Sequence, residues 1–211
     1  MNLDAVRRVF AAAPKLAIEG GVLPHARSER GDHDLNPGMT RPDTTRPAGV
    51  LVPLVAREDG LKVLLTQRSD DLPVHPGQVC FPGGRVEEED TDIVDTALRE
   101  TEEEIGLSRD RIEVIGRLDT YSTRTGFEIV PVAAVVHPPF ELTLQPVEVA
   151  SAFEVPLEFV LDRDNHEKHS RMWQNRERFF YVLPYPDRYI WGATAGMLVN
   201  LADVLLDPAA L

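Results

Sequence analysis

The sequence predicts a mixed α/β or α+β sandwich in which strands surround one strong central helix. Three observations lead there. Two β-rich runs, AGVLVPLVA (48–56) and LKVLLTQR (61–68), flank Glu58-Asp59-Gly60, where Asp-Gly is a hairpin signal. Residues 92–105 carry the apolar spacing of a helix packed on a sheet. Further β-rich segments follow, and TAGMLVNLADVLL (194–206) closes the pattern as a second long helix.

Taken in order, residues 3–13 form a short amphipathic helix, with Leu3, Val6, Val9 and Phe10 near one face. It reads as that and not as a secretory signal. Residues 24–47 hold Pro24, Pro37, Pro42 and Pro47 among polar residues, a loop or extended arm with little capacity to bury surface. The hairpin follows from Ala48. VCFPGG (79–84) ends a third strand in a glycine turn, with Pro82-Gly83-Gly84 exposing backbone N–H groups before the helix. RIEVIGRLDTY (111–121) and EIVPVAAVVH (128–137) are strands, 151–161 is a strand entering a short helix, and RFFYVLPY and RYIWG are strands around a Pro-containing turn. The division is residues 1–45, a helix and arm, and residues 46–211, the main domain.

The chain has 211 residues with 43% hydrophobic and 27% charged content, ordinary for a globular domain with a real core. No apolar run approaches the roughly 20 residues that span a bilayer. A single cysteine, Cys80, cannot form an intrachain disulfide, which agrees with a reducing cytoplasm. The net charge of -13 repels nucleic acid and anionic membranes. It is an awkward charge for work on phosphates, unless carboxylates hold a divalent ion that dominates the local field.

The helix over 92–105 supplies such carboxylates. On a helical wheel Val94, Leu98, Thr101 and Ile105 form the packed stripe, and Glu100 and Glu104 stack beside it, with Glu103 next to them. Like charges at this spacing destabilise a helix, and hard cations such as Mg²⁺ or Mn²⁺ reverse the sign of that effect. Arg99, four before Glu103, can hold it. Taken alone, ETEEE reads more readily as a solvated acidic face. The glycine turn before the helix and the Gly106 stop after it shift the balance towards a site.

Gly84, Arg99, Glu100, Glu103, Glu104, Gly106 and Leu107 resemble the Nudix box, G-x5-E-x7-R-E-U-x-E-E-x-G-U. The spacing from Gly84 to Arg99 is one residue longer than that form. The first acidic position therefore falls on Glu89 or Asp90, and Thr101 stands at the usual aliphatic position. Residues 64–84, LLTQRSDDLPVHPGQVCFPGG, resemble the signature that precedes the box in the coenzyme A diphosphatase branch. Pro73 departs from it where the branch carries Arg, which leaves one substrate-side contact unsupported. The longer spacing also resembles this branch, with Asp90 at the acidic position, and YIWGATAGML (189–198) resembles its C-terminal element.

The resemblance covers roughly residues 46–205. It implies a Nudix-type α/β/α sandwich with a mixed sheet and a catalytic loop-helix-loop. It implies metal-dependent hydrolysis of the diphosphate of coenzyme A, giving 3′,5′-ADP and 4′-phosphopantetheine. On this reading Glu100 and Glu104 are the foremost metal ligands, and Glu103 is a third ligand or the base. Arg99 takes the supporting role, and Gly83-Gly84 offers a carbonyl or a close approach. Arg68 and His75 are substrate contacts or structural residues in equal measure. Glu148 is a further acid near the metals or a solvated loop residue. Cys80 reads as a packed thiol, and Trp191 as a core residue with stacking on adenine as the lesser alternative. The basic segment 163–178 is a solvated hairpin, a subunit contact in a homodimer, or a partner for the 3′-phosphate of coenzyme A. His166 and His169 are too isolated for a zinc site. ADP-ribose or NADH is the alternative substrate, and a non-catalytic nucleotide sensor the alternative class.

Overall fold

The computed structural model describes residues 1–12, 30–40 and 42–207. Residue 13 of the expected first helix and residues 24–29 and 41 of the arm lie outside them. Along the chain the elements are α1 (Leu3–Ala12), β1 (Arg30–Gly31), β2 (Arg46–Arg57), β3 (Gly60–Arg68), β4 (Val79–Cys80), β5 (Gly83–Arg85) and α2 (Ile93–Ile105). Then come β6 (Ile112–Arg117), β7 (Tyr121–Ser122), β8 (Phe127–Val136), β9 (Val149–Pro156), α3 (Leu157–Leu161), β10 (Glu167–Trp173), β11 (Arg176–Tyr185), β12 (Arg188–Trp191) and α4 (Gly192–Leu206).

β2 is the strand on which the rest is built. It runs parallel to β8 from Arg46↔Phe127 to Val55↔Val136. Its other edge is shared, the first half pairing antiparallel with β5 and the second half with β3. β9 extends the sheet beyond β3, and β6 and β7 both pair β8. The result is a mixed nine-stranded sheet with a separate antiparallel sheet, β10-β11-β12. Side chains alternate across β2. Val50, Val52 and Leu54 join α4 in the main core, and Leu51 packs with Ala97 of α2, Val132 and Ala134 on the opposite face. The α+β class expected from the sequence is therefore found, with α2 on one face of the mixed sheet and α4 on the other.

α4 is mostly apolar, and from Thr194 to Leu205 every residue except Asp203 is buried. A helix of that kind needs partners on both flanks. The large sheet covers one, and the small sheet, through Leu183 and Ile190, contributes to the same core. α1 adds fully buried Val6 and Phe10 to it.

Three local readings change. Gly83 and Gly84 do not make a turn but lie in β5, with Gly84 opposite Gly49 and Gly83 opposite Val50. The hairpin turn is Glu58-Asp59, and Gly60 (φ 124°) begins the return strand. The arm buries more than its composition suggested. Arg30–Gly31 pairs in parallel with Tyr121–Ser122, and the buried Asn36 side chain exchanges hydrogen bonds with the backbone of Phe179, each 2.9 Å.

Gly49 sets how closely α2 can approach. A Cβ built there would lie 2.5 Å from the Ile93 carbonyl oxygen. That contact is backbone, so a flexible side chain cannot relieve it. Gly49→Ala is therefore expected to destabilise the fold by about 1–3 kcal/mol through overpacking, read as a lower urea midpoint at unchanged slope.

Candidate metal and diphosphate site

α2 is fixed at both ends. Asp92 caps its N-terminus, accepting from the backbone N–H of Val94 and Asp95 at 2.8 Å each. Gly106 ends it in the left-handed region at φ 66°. The loop before β9 then covers the exposed carbonyls, with Thr143 N–H donating to Ile105 O and Gln145 N–H to Glu104 O. With both ends held, the helix presents one edge to β5. A Cβ at Gly84 would fall 2.3 Å from Oε1 of Glu100, so only glycine lets that carboxylate lie against the strand. One turn on, Glu104 is 4% exposed and accepts a 3.2 Å hydrogen bond from the Gly83 N–H.

Arg99 organises the rest. Its Nε and Nη2 bind Asp90 at 2.7 and 3.0 Å, and its Nη1 reaches Glu100 at 3.1 Å and Glu103 at 3.0 Å. Its Nη2 also donates to the carbonyl of Arg85, tying the helix to the end of β5. Asp90, with its side chain 1% exposed, accepts in addition from Thr96 Oγ1 and the Glu87 N–H. Of the two residues offered for the acidic position, Asp90 is the one bonded to Arg99, and Glu89 is exposed. The Arg99 hydrogen bonds hold the Asp90 carboxyl well below the ordinary range, and the same pairing raises the guanidinium.

The electrostatics of Glu104 run the other way. Burial pushes its carboxyl up to about 8, and the nearby Glu100 and Glu148 charges add to this, while the Gly83 N–H and Arg68 oppose it. Burial likewise raises Glu100 against the pull of Arg99. Glu103 lies on the exposed side of the edge, its side chain 60% accessible. Among the described residues no three His, Cys, Asp or Glu side chains are gathered closely enough to form a ready cage for a metal. The donors that do meet, two inward carboxylates beside a glycine backbone, are hard oxygen ligands held at a cost in charge. That set fits a divalent cation such as Mg²⁺ or Mn²⁺.

The remaining candidates lie on several different elements. Arg68, at the end of β3, favours the anionic form of Glu104, and its buried Nε finds no acceptor among the described residues. His75 sits exposed at φ 57° in the loop between β3 and β4. Glu148 is exposed, but its charge bears on both Glu100 and Glu104. Cys80 bonds Thr66, and burial raises its thiol to about 11, the behaviour of a packed thiol. His166 is taken by the Val160 carbonyl and His169 by Glu167. A cavity of about 230 Å³ lies elsewhere, lined by Arg30, Asp32, Tyr121 and Phe180 among others, and none of these carboxylates borders it. Sequence reasoning missed Gly49, Thr96 and Gln145. Gly49 sat inside a strand pattern, which is itself a signal of close backbone approach.

Asp90 gives a pH prediction. Its folded carboxyl titrates below its unfolded value, so its contribution is present above the ordinary carboxylate pKa and is lost as pH falls through and below that value. The thermal midpoint should fall over that acid range in the wild type. Asp90→Asn should start from a lower midpoint at neutral pH and show a shallower acid slope; equal slopes would contradict the pairing.

The Nudix domain family model matches residues 45–183. The uncharacterized Nudix hydrolase NudL of Enterobacter sp. (strain 638) is 36% identical over 170 residues, 80% of this chain and 88% of that protein. NudL of Escherichia coli O7:K1 is 37% identical over 158 residues, 74% of this chain and 81% of that one. Nudix hydrolase 15, mitochondrial, of Arabidopsis thaliana is 37% identical over 172 residues, 77% of this chain and 60% of that protein. Among solved structures, a C. elegans Ap4A hydrolase binary complex aligns over 53% of this chain and 80% of its own, at 22% identity and a TM-score of 0.46. With the box residues on the edge of α2 and the family match spanning most of the sheet, the chain belongs to the Nudix hydrolase family.

Proposed function

We propose that this enzyme hydrolyses the diphosphate linkage of coenzyme A or its acyl or oxidised derivatives, with Mg²⁺ or Mn²⁺ held at Glu100 and Glu104. As a Nudix hydrolase it acts on phosphoric anhydrides. The observation that carries the metal assignment is Glu104, a buried carboxyl beside Glu100 at the Gly83-Gly84 strand. The substrate assignment rests on residues 64–84, which resemble the coenzyme A diphosphatase signature.

A divalent cation bound there supplies neutralisation of the phosphoryl oxygens and an acidified water. The chain does the positioning. Glu100 lies against Gly84 and Glu104 accepts from the Gly83 N–H, so both carboxylates are held at the same strand. Arg99, itself locked by Asp90, keeps Glu100 turned inwards and holds Oε2 of Glu103. Glu103, whose Oε2 is the oxygen bonded to Arg99, is on this reading a third ligand or the base that takes a proton from water. Arg68, whose buried Nε has no acceptor among the described residues, and the exposed His75 are the residues we assign to the substrate phosphates.

With coenzyme A and Mn²⁺, the expected products are 3′,5′-ADP and 4′-phosphopantetheine. Rates on ADP-ribose and NADH should be lower, and chelation should stop turnover. Glu100→Gln and Glu104→Gln should each lower kcat by at least about a hundredfold while the fold persists. Near wild-type turnover in either variant would sink the ligand assignment. Affinity for the nucleotide without metal-dependent turnover would mark a sensor instead.

A further inference from the structure

The second sheet has one face in the core, through Leu183 and Ile190, and a second face that is buried at Val182 and open to solvent at Trp173 and Tyr189. The outward face is unlike the rest of this acidic protein. Arg171 of β10 stands directly opposite Arg178 of β11, and Trp173 stands opposite Arg176. Arg124, from the turn between β7 and β8, lies 5.1 Å over the Trp173 ring, and Arg171 lies 4.9 Å over Trp191. Trp191 packs edge-on against Phe180 at 5.4 Å. Trp173 is 41% exposed and Tyr189 50% exposed, so the rings can be reached from solvent.

Like charges directly opposite on paired strands are destabilising. None of these four guanidinium groups forms an ion pair among the described residues, and the buried Nε of Arg178 has no acceptor there. The carboxylate that β10 adds to this face, Glu167, is held by His169. Clustered guanidiniums interleaved with aromatic rings suit a planar base with phosphate attached. The rings and guanidinium planes stack on the base, and the arginine forks take phosphate oxygens. A second copy docked here about a two-fold axis would set arginine against arginine, which costs energy.

The platform is joined to the carboxylate site through its edge strand. Arg188 at the start of β12 bonds Gln67 and, at 3.3 Å, Ser151 Oγ. Thr194, just past Trp191, donates to the Val79 carbonyl at 3.0 Å, and Val79–Cys80 leads into Gly83. We propose that this face docks the phosphorylated nucleoside half of the substrate, with the base against Trp173 and Trp191 and the ribose-bound phosphate between Arg171 and Arg178. This rests on the substrate reading above and extends it by assigning where the nucleotide end is recognised.

Both tryptophans of the chain lie on this platform, so intrinsic fluorescence reports it directly. Adenosine 3′,5′-bisphosphate, titrated in chelator so that no metal is bound, should quench that fluorescence saturably. The midpoint should rise several-fold between about 50 and about 200 mM salt. Arg171→Glu, at an exposed strand position, should keep the fold by circular dichroism and weaken binding by at least about tenfold. In turnover it should raise KM for coenzyme A more than it lowers kcat. Absence of saturable quenching in the wild type, equal midpoints in the two proteins, or dimerisation through this face that Arg171→Glu abolishes would each overturn the platform. The readings fail separately. Quenching without metal-dependent turnover would retire the activity and keep the platform, and turnover with KM untouched by Arg171→Glu would do the reverse.

Discussion

The close approach of α2 to the paired glycines Gly49 and Gly84 is the constraint on which the site depends. With no side chain on either residue, the helix backbone settles onto β2 and its carboxylate edge settles onto β5. Glu100 is then pressed against Gly84, and Glu104 is drawn down to the Gly83 N–H. Two acids are desolvated together, which no isolated helix would tolerate. Tertiary packing imposes this, and the helix caps at Asp92 and Gly106 keep the register that makes it possible.

Arg99 separates two kinds of carboxylate that sit within one short stretch. Asp90 receives a two-pronged guanidinium bond and two further donors, so its charge is fully compensated and its role is to anchor. Glu104 receives one backbone N–H, and its neighbours Glu100 and Glu148 are themselves acidic, so its charge is under-compensated. The balance points to Asp90 as support and to Glu104 as a place for a cation. On the proposed reading, the net charge of -13, which on its own argues against work on phosphates, would be offset at the site by a cation at the carboxylates.

Much of this was legible in the sequence, for identifiable reasons. The apolar period and the Gly106 stop made α2 legible, while the Asp92 cap is visible only in the structure. The β2–β3 pair and the buried α4 were legible from their apolar runs. What the sequence hid were contacts between segments distant in the chain. The glycines of 83–84 looked like a turn because strand glycines and turn glycines share one letter; only pairing with Gly49 shows them as a close-approach surface. The arm looked unable to bury anything, yet Asn36 satisfies the Phe179 backbone 143 residues away. The basic segment 163–178 read as ambiguous, because only the strand register sets Arg171 opposite Arg178 and puts both tryptophans on one face.

If Glu104 is buried to hold a divalent cation with Glu100, removing its charge must weaken metal binding. Calorimetric titration of Mn²⁺ into metal-free wild type and into Glu104→Gln tests it without reference to any substrate. The account predicts saturable binding to the wild type and affinity at least about tenfold weaker in the variant. Equal affinity in the two proteins would contradict it.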